Sequence, residues 1–234
     1  MTTPSKTWIA DLPKDRLIAE FSVWSADLVH LADELARVDP HVDILHIDVA
    51  DGHFAPAMLF FPDLVAGVRK VSARPIHVHL MVADSIILSQ IDQFADAGSD
   101  LISLHVENES VADQALDLLD RRGVAAGMVL KVDTPVERVE RYVSRLSFVT
   151  LLGTAIGVKG QGLDEKAGAR LQQAKQIIAG CGAAAHRIVL AADGGIREHT
   201  VPLLRQSGAE TVVLGSLAFN APSLDERMAW VRAL

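Results

Sequence analysis

Apolar residues in this chain fall into short continuous runs, separated by longer stretches in which they recur every three or four positions. The runs are Leu17–Val23, Val42–Val49, Pro75–Met81, Asp100–His105, Val124–Leu130, Ser147–Leu152, Arg187–Ala192 and Thr211–Leu214. Continuous rather than alternating apolar character predicts parallel strands covered on both faces. Helices are predicted between them, over Asp27–Val38, Asp63–Val71, Asp84–Ala97, Ser110–Arg122, Pro135–Ser144, Asp164–Ala179, Glu198–Ser207 and Ser223–Leu234. Asp27, Asp63, Asp84, Thr134 and Asp164 are residues suited to cap helix starts, and Gly98, Gly123 and Gly208 suit left-handed helix ends. Eight successive right-handed βα units close into an α/β structure of the (β/α)8 TIM-barrel type. An open doubly wound sheet is the competitor, but no Gly-x-Gly-x-x-Gly follows the first strand. Nothing reads as a linker, so residues 1–234 are expected to form a single barrel domain. Residues 1–16 form an N-terminal extension before the first strand, suited to cap the barrel bottom, pack at an interface or stay mobile.

Composition narrows the function. The chain has 234 residues, half of them apolar and 22% charged, which fits an ordinary globular protein and excludes disorder as the main state. The formal net charge is −8 without a basic run, a poor match to non-specific nucleic-acid binding. Cys181 is the only cysteine, so neither an intrachain disulfide nor a Cys-rich zinc site is expected. It reads as a small residue in a Gly/Ala-rich segment. No apolar run has signal-peptide length or the ~18 residues of a membrane span. A cytoplasmic protein with no membrane partner is the default expectation.

In a barrel, chemistry sits where strands end and βα loops begin. The second predicted strand ends His46-Ile47-Asp48, the third His77-Val78-His79-Leu80-Met81, and the seventh runs into Asp193. Residues two apart share one side of a strand. His46, Asp48, His79 and Asp193 can therefore converge, and two imidazoles with two carboxylates suit a divalent metal such as Zn²⁺, Fe²⁺, Mn²⁺ or Co²⁺. Each alone reads as a hydrogen-bonded structural residue. Together, in apolar strands, they need a reason, because buried charge is costly unless paired or metal-bound. The sixth to eighth strands run into glycine loops: Gly153 to Gln161 with Gly157, Val158, Lys159 and Gly160, then Gly194-Gly195, then Gly215-Ser216. Glycine lets backbone N–H groups approach an anion, and loops after the seventh and eighth strands are the usual phosphate site of such barrels.

His46-Ile47-Asp48-Val49-x-Asp51-Gly52-His53-Phe54-x-Pro56, Val78-His79-Leu80-Met81-Val82, Gly157-x-x-Gly160-Gln161, Asp193-Gly194-Gly195-Ile196 and Gly215-Ser216 together resemble the ribulose-phosphate 3-epimerase family. Ser22-Val23-x-Ser25-Ala26-Asp27 fits its first βα turn, and the similarity runs in register from about Ile18 to Phe219. The resemblance implies a metal-dependent barrel that inverts a carbon beside the carbonyl of a ketose phosphate. It implies one divalent metal ion per subunit, Zn²⁺ or Fe²⁺ before Mn²⁺ or Co²⁺, on His46, Asp48, His79 and Asp193. Asp48 and Asp193 would also be the acid/base pair. Ser22, His79 and Met81 would meet the substrate, and Gly157, Val158, Lys159, Gly160, Gly194, Gly195, Gly215 and Ser216 would hold its phosphate. A homo-oligomer is implied too. The chemistry suits these groups: proton loss at carbon 3 leaves an enediolate that a Lewis acid stabilises, and inversion needs a base and an acid on opposite faces.

Departures from the family's pattern concern the pocket wall. Ala50 and Leu152 stand where the family commonly has Met, Ala57 where it has Asn, Trp24 where it has Leu, and the Gly153 to Gln161 phrase differs in most positions. A reshaped wall changes substrate choice more readily than reaction type, so a tetrulose or hexulose phosphate, such as erythrulose 4-phosphate or allulose 6-phosphate, joins ribulose 5-phosphate as an implied substrate. A decarboxylase or synthase on the same fold would carry an Asp-x-Lys-x-x-Asp strand, which is absent. A non-catalytic sugar-phosphate-binding barrel would have lost a ligand or a carboxylate, and none is lost. His53 and His105 lie beyond or beside the implied ligands. Trp8, Phe60, Phe61 and Trp230 are candidate interface aromatics.

Overall fold

A computed structural model describes residues 7–182 and 187–234. Among them the chain runs α1 (Trp8–Asp11), β1 (Ile18–Ser22), α2 (Leu31–Val38), β2 (Ile44–Ala50), α3 (Pro62–Val71), β3 (Ile76–Met81), α4 (Asp84–Asp96), β4 (Leu101–His105), α5 (Ala112–Arg122), β5 (Ala125–Leu130), β6 (Phe148–Leu152), α6 (Ala167–Gly180), β7 (Val189–Asp193), α7 (Val201–Gln206), β8 (Thr211–Leu214), α8 (Ser216–Phe219) and α9 (Leu224–Arg232). The eight parallel strands pair in chain order and β8 closes on β1, giving the expected (β/α)8 barrel. Register sets His46 beside Ser22 and His77, and Asp48 beside His79.

The barrel interior changes character along its axis. At the strand starts, Ile18, Ile44, Leu101, Ala125, Phe148 and Val189 form a dry apolar layer, onto which Ile9 and Leu12 pack from α1 and the residue after it. Of the three roles open to the N-terminal extension, its described part caps the barrel bottom. Two residues further along the strands the interior turns polar, with Glu20, His46, His77, Ser103 and Thr211 all buried. At the mouth lie Ser22, Asp48, His79 and Asp193. The larger apolar core fills the space between strands and helices.

Predicted strands match to within two residues at each end. Pro135–Ser144 is the main correction: it holds two 3₁₀ turns, Val136–Val139 and Val143–Arg145, instead of an α-helix. Val136, Val139 and Val143 still bury, because a three-residue repeat also faces one side of a 3₁₀ turn. The predicted Asp27–Val38 helix opens with a separate 3₁₀ turn, Leu28–His30, whose Val29 N–H the Asp27 side chain does cap. Asp63, Asp84 and Thr134 are not caps; Phe61, Ala83 and Pro135 hold those positions. Asp164 accepts from Lys166 N but precedes α6 by three residues. Gly98, Gly123 and Gly208 all have positive φ at helix ends, as expected. No helix is long and apolar enough to cross a membrane among the described residues. Cys181 follows α6 and its thiol donates to Ile178 O.

Candidate active site

Strand register carries the polar residues of β2, β3 and β7 to one point. His46 Nε2 lies 3.2 Å from Asp48 Oδ1. His79 Nδ1 lies 3.3 Å from the same oxygen and 3.8 Å from Asp193 Oδ2. All four donor atoms fall within 4.8 Å of one another. Ligand atoms about 2.1 Å from a shared ion at tetrahedral angles stand roughly 3.4 Å apart, so this donor set could hold a divalent cation. Two neutral imidazole nitrogens and two carboxylates also match its charge.

The two carboxylates are not equivalent. Burial would push Asp48 up, but the facing His46 and His79 hold its carboxyl far below the usual range. Burial pushes Asp193 up to about 6, and the neighbouring Asp48 charge adds to this against His46 and His79. His46 is buried too, which disfavours its charge, yet Asp48 and Glu20 together raise its pKa well above the ordinary value. Ser22 Oγ donates to Asp48 Oδ2 at 3.0 Å.

Above this cluster opens a cavity of about 400 Å³. Ser22, Asp48, His79, Met81 and Asp193 line its floor, and Gly157, Val158, Lys159, Gly160, Gly194, Gly195, Gly215 and Ser216 line its rim. His46 does not line it; it stands behind Asp48, fully buried. Glycine is required at the rim. Gly194 and Gly195 have φ of 88° and 69°, and a Cβ on Gly195 would stand 2.8 Å from Leu163 Cα. Gly157, at φ 69°, leans the β6 loop against Ala55 and Pro56 of the β2 loop. Lys159 reaches across the mouth, donates to Trp24 O at 2.7 Å and sits 4.4 Å from the Trp24 ring centre. Burial lowers its pKa. Met81 packs with Ala50 and Ala55 in a small apolar cluster that Phe54, Ala57, Leu59 and Ile156 complete.

Residues 18–219 match the ribulose-phosphate 3 epimerase family, across nearly the whole barrel. The chain belongs to this family. It is 32% identical to ribulose-phosphate 3-epimerase of Bacillus subtilis (strain 168) over 212 residues, covering 90% of this chain and 96% of that protein. With the enzyme of the same name from Helicobacter pylori (strain J99 / ATCC 700824), identity is 31% over 208 residues, 89% and 92% of the two chains. Solved barrels share the fold at much lower identity. A 3-hexulose-6-phosphate synthase aligns at TM-score 0.63 and 17% identity, over 93% of this chain and 96% of that one. Orotidine 5′-phosphate decarboxylase from Pyrococcus horikoshii OT3 gives 0.65 and 11%, over 92% and 97%.

Family membership makes the chain an isomerase of the epimerase kind. Arg197 and Asn220 also line the cavity but carried no signal in the sequence. Asp51, noted only as part of a motif, ties two loops together: it accepts from His53 N and Phe54 N at 2.8 Å and from Ala83 N at 2.7 Å. Sequence reasoning also missed Glu20. Its signal was present, a lone charge two residues before Ser22 and so on the same side of β1.

Proposed function

We propose that this chain is a metal-dependent ketose-phosphate 3-epimerase, interconverting D-ribulose 5-phosphate and D-xylulose 5-phosphate or a closely related ketose phosphate. The observation that carries this is the convergence of Asp48 and Asp193 on the cavity floor, their oxygens 3.3 and 3.8 Å from the same nitrogen of His79 and within 4.8 Å of His46 and of each other. His46, Asp48, His79 and Asp193 would hold one divalent cation. Bound there, a cation supplies Lewis-acid stabilisation of the charge that develops on the sugar oxygens. Asp48 and Asp193 take and return the carbon-3 proton from opposite faces, exchanging roles with the direction of reaction. Ser22 steadies Asp48 through its hydroxyl and faces the sugar. Met81 and its apolar neighbours keep water from one side of the floor.

Phosphate would lie at the rim, among Gly157, Val158, Lys159, Gly160, Gly194, Gly195, Gly215 and Ser216. Positive φ at Gly157, Gly160, Gly194 and Gly195 lets bare backbone turn toward an anion there, and Lys159 supplies a positive charge beside it. We read residues 1–234 as one barrel domain, and Met58 and Phe61, exposed on the β2–α3 loop, as a surface for self-association. Trp24 and Leu152 line the cavity where they depart from the family's pattern, which keeps a tetrulose or hexulose phosphate in view. The test is purified protein with its metal content quantified, incubated in D₂O with ribulose 5-phosphate, erythrulose 4-phosphate and allulose 6-phosphate separately. Deuterium should enter carbon 3 of one of them, seen by NMR. A metal-loaded protein that exchanges none of the three refutes the reading.

A further inference from the structure

Behind the two histidines of the candidate cation site stand carboxylates, the buried Glu20 against His46 and the partly buried Glu107 one ring removed from His79, and hydrogen-bond directions run outward from them. Glu20 Oε1 faces His46 Nδ1 at 2.8 Å and His77 Nδ1 at 2.5 Å. An ionised carboxylate only accepts, so both rings carry their proton on Nδ1. His77 then has a bare Nε2, which accepts from Ser103 Oγ at 2.6 Å. His46 turns Nε2 toward Asp48 Oδ1, and with a cation shared between them that nitrogen is bare as well. Separations of 2.5–2.8 Å are those of hydrogen bonds, and every ring nitrogen in this group has a partner. Glu20, His46 and His77 are therefore a saturated network rather than a second cation site.

The other side is built from different elements and reaches the opposite ring nitrogen. Glu107 Oε2 faces His105 Nδ1 at 3.1 Å, while its Oε1 accepts from Thr134 Oγ1 and from Lys131 N. His105 thus carries its proton on Nδ1 and presents a bare Nε2. That nitrogen lies 2.8 Å from His79 Nε2. One of two facing nitrogens must donate, so with a cation held between His79, Asp48 and Asp193, His79 carries its proton on Nε2 and offers a bare Nδ1 to that cation.

We infer that Glu20 and Glu107, the second acting through His105, are positioning residues that fix which nitrogen each histidine offers to a cation: Nε2 of His46 and Nδ1 of His79. The inference rests on the cation reading of the site given above. Carboxylates behind metal-bound imidazoles hold the ring and raise its basicity, and losing one typically weakens metal binding about 10–100-fold. In Glu107→Gln the amide can donate to His105 Nδ1, which frees the relay to reverse and to protonate His79 Nδ1. Glu20→Gln keeps an accepting oxygen and removes only the charge.

The test uses full-length protein labelled with ¹⁵N-histidine and loaded with Zn²⁺, with Zn²⁺ affinity measured by chelator competition. Nitrogen shifts should show His46 protonated on Nδ1, His79 on Nε2 and His105 on Nδ1, assigned by single substitutions. Glu107→Gln should bind Zn²⁺ about 10–100-fold more weakly, with a changed His105 signature. Glu20→Gln should bind more weakly with the His46 protonation pattern kept. Circular dichroism confirms that each is folded; Glu107 is the less buried, so its variant serves if Glu20→Gln does not fold. Zn²⁺ held equally tightly by wild type and variants, or His79 protonated on Nδ1 in the loaded protein, overturns the inference alone. Wild-type protein that holds no Zn²⁺ overturns the cation reading beneath it.

Discussion

Gly127 on β5 has a bare flank because Ser103 on β4 occupies the space a methyl group would need. A Cβ at 127 would stand 1.9 Å from Ser103 Oγ, 3.1 Å from Ser103 Cβ and 3.3 Å from Phe148 Cβ. In Gly127→Ala the hydroxyl has to swing away, and its 2.6 Å bond to His77 Nε2 is lost. Overpacking of this kind costs about 1–3 kcal/mol. A buried nitrogen left without its donor costs about 1–3 kcal/mol. The single substitution should therefore destabilise by about 2–6 kcal/mol. Ser103→Ala alone removes the donor and should cost about 1–3 kcal/mol. In the double variant the closest contact is gone and the His77 acceptor is counted once, so the loss should fall short of the sum by about 1–3 kcal/mol or more. Urea unfolding of the four proteins, followed by circular dichroism and fluorescence, closes the cycle. Additivity to within about 0.3–0.5 kcal/mol would refute the argument that these two positions share one space.

Asp193→Asn should lower turnover about 10²–10⁴-fold in the D₂O exchange assay with sugar-phosphate binding retained; near-wild-type exchange would sink the two-carboxylate scheme. Gly195→Ala forces an alanine to φ 69° against Leu163, and should raise KM for the phosphorylated sugar more than it lowers kcat, measured by steady-state kinetics. Burial alone would raise the Glu107 pKa, but bonds from His105 and Thr134 bring it down to about 2. A carboxylate lowered on folding contributes stability above its unfolded value near 4.5, and that contribution disappears as pH falls toward 2. Wild-type protein should lose stability over that window more steeply than Glu107→Gln, as seen in urea midpoints between pH 5 and pH 3; parallel curves would count against the assignment.

Strands were legible because parallel strands buried on both faces need unbroken apolar runs, and Thr211–Leu214 even matches in both ends. The convergence of His46, Asp48, His79 and Asp193 was legible for a related reason: several polar residues ending apolar strands need a shared partner, because buried charge is costly unless paired or metal-bound. Val136, Val139 and Val143 misled, since burial every third or fourth residue does not separate an α-helix from successive 3₁₀ turns. Glu20 shows a different limit. Its charge stands out in an apolar run, but its partners His46 and His77 lie 26 and 57 residues downstream. Only barrel closure and strand register bring them together. Arg197 and Asn220 sit on loops with no periodic pattern, so nothing in one dimension pointed them at the cavity.

Among the described residues, Ile9 and Leu12 close the strand-start end of the barrel, opposite the cavity mouth. With the strand starts filled by apolar side chains, a sugar bound as proposed would enter and leave through the mouth that Lys159 and Trp24 line. Incoming and outgoing molecules cannot pass one another, so each turnover ends with the doorway being vacated. Two epimers that differ at one carbon then compete for one path as well as one site, and their rates of departure bear directly on how fast the reaction approaches balance.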